Sequence, residues 1–301
     1  MKLASVLSSV ALALSGLMAL PAAAQEGRGD VIYVPTPQIV VDTMLQMAKV
    51  GSKDFLIDLG SGDGRIVITA ASKFGASGFG VDLDTYLLKL ANENARKAGV
   101  TGKVHFVEEN LFTTDLSKAT VISTYLLPEM NLKLRPKLMA LKPGTRIVAH
   151  DYHFGEWDPD EQRELTVPEK KVGEPGISYV FFYVVPARVP GKWQSLVNIA
   201  GRETPLEFNL QQDFQEIEGK VEIRDRSLDL RGRMMGERIR MVAGGRGGVA
   251  RHEFTGQIEG GAIKGTLVIG DGASRQQVAW TAKQIQRGEL KRPSDELPEE
   301  K

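Results

Sequence analysis

Between the apolar runs Phe55-Leu56-Ile57 and Ile66-Val67-Ile68 lies Asp58-Leu59-Gly60-Ser61-Gly62-Asp63-Gly64-Arg65, which packs three glycines and two carboxylates into one short turn. A strand feeding a glycine turn and then a helix brings bare backbone within reach of a ligand, because glycine adopts positive φ and carries no Cβ. A dinucleotide site wants a further glycine and a helix N-terminus facing a pyrophosphate, and here Arg65 stands in that place. Asp58 and Asp63 repel a pyrophosphate but suit an amino group and a sulfonium, which favours S-adenosylmethionine over a nicotinamide cofactor. Ser77-Gly78-Phe79-Gly80-Val81 then reads as a second strand ending at Asp82, whose carboxylate can accept both ribose hydroxyls of an adenosine. The bland alternative is a tight strand-helix turn with Asp82 as an ordinary helix cap.

In an open α/β sheet the ligand lies beyond the carboxyl ends of the strands. That rule selects three more segments, Glu109-Asn110, Tyr125 to Glu129 and His150 to His153. Glu109 or Asn110 can bond an adenine amino group, and Asp58 can hold the amino group of the cofactor. Methyl transfer is an in-line displacement in which an enzyme aligns a nucleophile and excludes water, so no catalytic residue is assigned. A lysine acceptor must be neutral, which a desolvated pocket favours. Tyr125, Tyr152 and Phe154 are candidate walls for it, and Pro128, Asp151 and His153 stand in the same segments, with Asp151 or His153 as a candidate base. His150 and His153 would point to opposite faces of a strand, so no metal site is assigned.

The elements that must position these residues alternate in the βα manner of a parallel sheet. Thr36 is expected to cap a helix with Pro37 in its first turn, Asp84 to cap another, and Glu129 to Leu141 to form a helix entered after Pro128. Ile177 to Val185 and Arg163 to Val167 are expected to pair antiparallel and close the sheet. After Pro186-Ala187-Arg188-Val189-Pro190 the pattern becomes strict alternation, as in Val221/Ile223, Leu228/Leu230 and Ile239/Met241, with turns at Gly260-Gly261 and Asp271-Gly272. The expected fold is therefore a Rossmann-like doubly wound sheet over residues 25–187, followed by a small antiparallel barrel or sandwich over 191–283. A charged tail is expected over 284–301. A chain ending near Pro190 is expected to fold alone.

Val34-Pro35-Thr36-Pro37, a short helix and then Asp58 to Val67 resemble the class I methyltransferases that modify lysine in the ATP synthase c subunit and the adenine nucleotide translocase. The resemblance covers roughly residues 30–187. It implies a Rossmann-like methyltransferase domain, S-adenosylmethionine as cofactor and a lid formed by Tyr33 to Pro37, with Tyr33 and Thr36 against the cofactor. That family typically has Glu at the position of Asp82 and Asp at the position of Asn110. The expected activity is S-adenosylmethionine-dependent methylation of protein lysine. A small-molecule acceptor, or a noncatalytic exported binding protein on a degenerate fold, is the alternative.

The 301 residues carry 38 basic and 38 acidic side chains, so no global basic field draws in nucleic acid. Cysteine is absent, which excludes disulfides and thiol ligands. Lys2, the apolar run Leu3 to Leu20 and Ala22-Ala23-Ala24 before Gln25 read as a signal peptide over residues 1–24. The expectation is export to a periplasmic or extracellular space with no stable membrane insertion once the signal is cleaved. An uncleaved anchor is the structural alternative, and initiation at Met18 would leave the protein in the cytoplasm.

Overall fold

The computed structural model describes residues 33–245, 249–270 and 275–290. The signal-type segment, the Asp271-Gly272 turn and most of the expected tail lie outside them. Seven strands form the first sheet in the order β3 (Val104–Glu108), β2 (Ser77–Asp82), β1 (Phe55–Leu59), β4 (Val121–Thr124), β5 (Arg146–His150), β7 (Gly176–Val184) and β6 (Glu161–Val167). All neighbours run parallel except β7, which is antiparallel to both β5 and β6. The order reverses between β1 and β4, which is where an open sheet of this kind presents a crevice at its carboxyl edge.

Helices α1 (Gln38–Met47), α2 (Arg65–Phe74) and α3 (Thr85–Lys97) bury their apolar stripes in one cluster on one face, through Val40, Met44, Val67, Ala70 and Ala91 among others. Asp84 caps α3 as expected, accepting from the Tyr86 and Leu87 amides at 2.8 and 3.2 Å. Thr36 does not cap α1. Pro37 occupies the cap position without a side-chain bond, because the Thr36 hydroxyl is turned inward to His150. The opposite face is covered differently. Among the described residues it has one helix, α4 (Pro128–Met139), with Pro128 at its start, and the irregular connections 109–120 and 151–160 contribute Leu116, Ala119, Phe154 and Trp157 to the cluster there.

The second unit is a closed eight-stranded barrel, not a sandwich. Strands β8 (Gly191–Ile199), β9 (Arg202–Asp213), β10 (Glu216–Ile223), β11 (Arg226–Met235), β12 (Arg238–Ala243), β13 (His252–Glu259), β14 (Ala262–Ile269) and β15 (Gln276–Arg287) pair antiparallel in chain order, and β15 closes onto β8. Closure removes the free edges that alternation alone leaves open. The last strand runs to Arg287, so residues 284–287 belong to the barrel wall instead of a tail. Inward residues fill the interior, with Phe208, Phe254 and Trp280 in mutual contact at centroid distances of 5.2–5.5 Å.

The two units share buried structure. At the β9–β10 turn Phe214, with φ of 49°, is 8% exposed and sits in the cluster on the second face of the sheet. Its ring stacks on Trp157 at 6.1 Å, and the Arg135 guanidinium lies 5.6 Å from its centroid. Gln215 donates to the Asp158 carbonyl at 2.7 Å, and Arg233 pairs at 3.0 Å with the buried Asp160, which also accepts from the Val184 amide. The connection is pinned too. Gln212 accepts from the Val189 amide and donates to the Ala187 carbonyl. The expectation that a chain ending near Pro190 folds alone is therefore revised, since it would uncover Trp157 and the apolar face beside it.

Candidate functional site

Asp58 lies near the carboxyl end of β1 and is 2% exposed. Its carboxylate accepts from the Ser123 hydroxyl at 2.7 Å. Burial pushes its pKa up to about 7, Ser123 offsets part of that, and the charges of Asp82 and Asp63 add to the rise. Beyond it, the Gly60 and Ser61 amides bond the Val81 carbonyl at 3.0 and 2.9 Å, which joins the turn to β2. Gly62 donates its amide to Asp82 Oδ2 at 2.8 Å, and Asp84 donates its amide to Asp82 Oδ1 at 3.0 Å. Each oxygen of Asp82 thus holds one backbone N–H and keeps acceptor capacity for hydroxyls, on the wall of a cavity that Asp58, Gly60, Asp82, Glu109 and Asn110 line together. Gly62 and Gly64 stand off that wall. A Cβ at Gly62 would lie 2.3 Å from the Tyr33 ring, and one at Gly64 would lie 2.5 Å from the Phe106 ring, so Gly62 lets the Tyr33 wall of the cavity close on the turn and Gly64 permits packing behind it.

Tyr33 to Thr36 form the other side of the cavity. Arg65 makes a two-pronged ion pair with Asp63, with Nε to Oδ1 at 2.9 Å and Nη2 to Oδ2 at 2.6 Å, and its Nη1 reaches the Thr36 carbonyl at 2.8 Å. The segment is thereby tied to the glycine turn. The Tyr33 hydroxyl, bonded to Asp63, is pushed up to about 12 by burial first and by the Asp63 charge second. Thr36 Oγ1 lies 3.2 Å from His150 Nδ1, and His150 Nε2 lies 3.1 Å from Ser178 Oγ. Burial holds His150 at about 4, so it is neutral.

The far wall is Glu109 to Phe112. Asn110 Oδ1 accepts from the Phe112 amide at 2.9 Å, and the Asn110 carbonyl accepts from the Thr113 and Thr114 amides. Its side-chain oxygen thus keeps one lone pair beyond the turn, and the exposed Glu109 carboxylate, with more acceptor capacity, stands beside it as the stronger acceptor for an adenine amino group. Lys137 of α4 donates to the Phe112 carbonyl at 2.9 Å and to those of Leu111 and Thr114, which fixes this wall from behind.

Tyr125 lines the cavity at its acceptor end. Its hydroxyl donates to Asp151 Oδ2 at 3.3 Å, and its ring stands 3.9 Å from His150 and 6.4 Å from Tyr152. Desolvation, then the Asp151 charge, drives the Tyr125 hydroxyl pKa upward. Pro128, Asp151, Tyr152 and His153 do not line the cavity. Asp151 is 2.7 Å from Lys170 Nζ and accepts from the Tyr179 amide at 3.0 Å, so its oxygens are occupied and it is poorly placed as a free base. His153 is exposed and accepts from the Gly155 amide at 3.0 Å. Phe154 is no pocket wall either: it is fully buried against Trp157 and Tyr183 on the barrel side. Among the described residues no group of three or more His, Asp or Glu could hold a metal.

A family profile described as the ANTKMT methyltransferase domain matches residues 58–161. A protein-lysine N-methyltransferase of Saccharolobus islandicus is 47% identical over 131 residues, which cover 43% of this chain and 81% of that protein. The chain belongs to this methyltransferase family. The mouse lysine N-methyltransferase of the ATP synthase c subunit is 33% identical over 129 residues, 42% of this chain and 51% of its own length, so the chain spans about half of that relative. A crystal structure described as an RNA methyltransferase from Salinibacter ruber in complex with S-adenosyl-L-homocysteine is 46% identical, with a TM-score of 0.47 over 52% of this chain and 97% of that one.

The methyltransferase uses S-adenosylmethionine, and the cavity suits that group. Asp58 is a buried carboxylate with no cationic partner among the described residues, held near 7, which is the environment an ammonium relieves. Asp82 and Glu109, at the ends of the adjacent strands β2 and β3, offer acceptors for ribose and adenine. Reading the sequence missed Ser123 and Lys170, and it did not foresee Arg65 as a tie or His150 as the partner of Thr36. For Arg65 a signal existed, since an arginine two residues after an aspartate at a helix start is placed to pair with it.

Proposed function

We propose that this methyltransferase acts on the side-chain amine of lysine in a protein acceptor. The relative from Saccharolobus islandicus, named a protein-lysine N-methyltransferase, is aligned over 81% of its own length at 47% identity, and that observation carries the reading. The cavity agrees with it: Tyr125 lines it, with the Tyr152 ring behind at 6.4 Å, and so presents an aromatic wall to an incoming amine.

When bound, S-adenosylmethionine supplies an electrophilic methyl group on a sulfonium. Asp58 holds the ammonium of the cofactor, Asp82 its ribose and Glu109 its adenine. The Tyr33 to Thr36 segment, held by Arg65, shuts out water on one side, and Leu126 and Met130 line the other. Desolvation beside Tyr125 favours the neutral amine, whose lone pair is the nucleophile.

The test is incubation of the purified protein and labelled S-adenosylmethionine with protein extract from cells lacking it, followed by mass spectrometry of peptides. Methyllysine is the expected product. Label found only on oxygen or on small metabolites would overturn the assignment. We further propose that residues 1–24 direct export. A mature chain beginning near Gln25 outside the inner membrane supports this, and cytoplasmic protein beginning at Met18 or Ala19 refutes it.

A further inference from the structure

We propose that Lys170 fixes the direction of the Tyr125 hydroxyl, making that oxygen a hydrogen-bond acceptor toward the cavity and so selecting a nucleophile with a hydrogen to donate, such as an amine, over a pure acceptor such as a carboxylate. The inference rests on the lysine-methyltransferase reading and deepens it.

Lys170 lies between β6 and β7 with its side chain 4% exposed, its ammonium 2.7 Å from Asp151 Oδ2 and donating to the Ile177 carbonyl. An ammonium so buried persists when it is paired and hydrogen-bonded. Asp151, just past the end of β5, is held in the left-handed region at φ of 60°. Its amide donates to the Tyr179 carbonyl at 2.8 Å, and its Oδ1 accepts from the Tyr179 amide at 3.0 Å. A non-glycine residue kept there marks a side chain whose direction is fixed by its surroundings.

A carboxylate facing an ammonium has no proton to give. The Tyr125 hydroxyl, 3.3 Å from Asp151 Oδ2, must then spend its single proton on Asp151 and turn lone pairs to the cavity it lines. An incoming amine donates N–H to that oxygen and keeps its own lone pair for the methyl carbon. In the transfer the lone pair forms the N–C bond, the C–S bond breaks with its electrons remaining on sulfur, and the resulting ammonium releases a proton to water. A carboxylate or other pure acceptor would meet lone pair against lone pair. Were Asp151 to lose its cation, nothing on that side would hold its carboxylate against Tyr125, and the freed hydroxyl could turn to the cavity, donate to the amine and occupy the electrons that must attack. Lys170 is on this account a positioning residue that acts through Asp151 and Tyr125.

The experiment is a double-variant cycle on the full chain, with extract from cells lacking the protein as methyl acceptor and S-adenosylhomocysteine affinity by calorimetry as the second readout. Lys170→Met should slow lysine methylation about ten- to a hundredfold, the size expected for one charge-assisted hydrogen bond, and leave S-adenosylhomocysteine affinity unchanged. Lys170→Arg should restore most of the rate. In a Tyr125→Phe background, Lys170→Met should cause no further loss, because the hydroxyl it orients is gone. Equal losses in both backgrounds, or a parallel fall in S-adenosylhomocysteine affinity, would overturn the proposal. Should Lys170→Met not retain S-adenosylhomocysteine binding, Asp151→Asn in the same cycle decides by the same criterion. A wild-type protein that methylates no lysine would refute the underlying reading instead.

Discussion

Asp58→Asn should make the cofactor-free protein more stable at alkaline pH while removing its grip on S-adenosylmethionine. The folded protein raises Asp58 from 3.8 to about 7. Between those values the folded state holds a proton that the unfolded state lacks, so this carboxyl lowers stability as pH rises, and the penalty is complete above about 7. At about 1.4 kcal/mol per pH unit, the rise corresponds to a penalty of roughly 4 kcal/mol. Burying an amide in its place takes back on the order of 1–3 kcal/mol, with Ser123 still available as a partner. The net gain at about pH 8.5 is therefore roughly 1–3 kcal/mol, shrinking toward zero or below at about pH 5, where the wild-type carboxyl is neutral.

His150 works in the opposite sense over nearly the same window. Its value is lowered from 6.5 to about 4, so the unfolded state binds the proton and stability falls as pH drops through that range. In the wild type the two slopes oppose each other and the curve is shallow. In Asp58→Asn the His150 slope stands alone, and stability should drop steeply on acidification below about pH 6.5. Urea unfolding at a series of pH values measures both. A stability difference between wild type and Asp58→Asn that does not vary with pH would show that Asp58 does not titrate in this range, and the reasoning would fail. Calorimetry on the same proteins should find S-adenosylmethionine affinity reduced about ten- to a hundredfold in the variant.

Asp82→Ala should weaken S-adenosylmethionine binding by about one to two powers of ten, and because the Gly62 and Asp84 amides also lose their acceptor, melting temperature should fall as well; unchanged affinity in calorimetry removes Asp82 from the ribose role. A chain ending at Pro190 should be insoluble or molten by near-ultraviolet circular dichroism, and full-length Phe214→Ala should lose about 3–5 kcal/mol, the usual cost of a buried aromatic; a soluble truncated chain with a cooperative melt refutes the shared-core account. At limiting acceptor, methylation rate should rise about tenfold per pH unit above pH 7 as the lysine amine, with an ordinary value of about 10.4, loses its proton. It should rise more steeply below about 7 at limiting S-adenosylmethionine, where Asp58 also ionises. A rate flat from about pH 7 to 9 argues against a free lysine amine as nucleophile.

The parts of the fold that depend on neighbours in sequence were legible. The glycine turn, Asp82 at the end of β2, the Asp84 cap and the antiparallel pair β6–β7 each declare themselves within a few residues. What stayed hidden depends on distant partners. Thr36 has the chemistry of a helix cap, yet its hydroxyl is drawn to His150, 114 residues away. Lys170 sits in a polar, proline-containing stretch that reads as solvated loop, and only the return of β7 brings it under Asp151. Alternating strands look the same in a sandwich and a barrel, so closure of β15 on β8 could not be told from the pattern. Nothing near Phe214 in sequence marks it as buried between the two units, yet it fills space on a sheet face where α4 is the one helix among the described residues.

The long-range wiring of the cavity has a kinetic consequence. Asp58 is completed by Ser123 across 65 residues, Thr36 by His150 across 114 and His150 by Ser178 across a further 28. Contacts so far apart along the chain form late in folding, because each demands closure of a long loop before any reward is gained. No partial chain short of β7 holds the Thr36–His150–Ser178 chain of hydrogen bonds that backs the cavity. A nascent polypeptide, or one threaded through a membrane pore in extended form, therefore has no place to carry its cofactor. Loading with S-adenosylmethionine must follow folding, in whichever compartment folding is completed, and the supply of that small molecule there sets when the finished protein can begin to work.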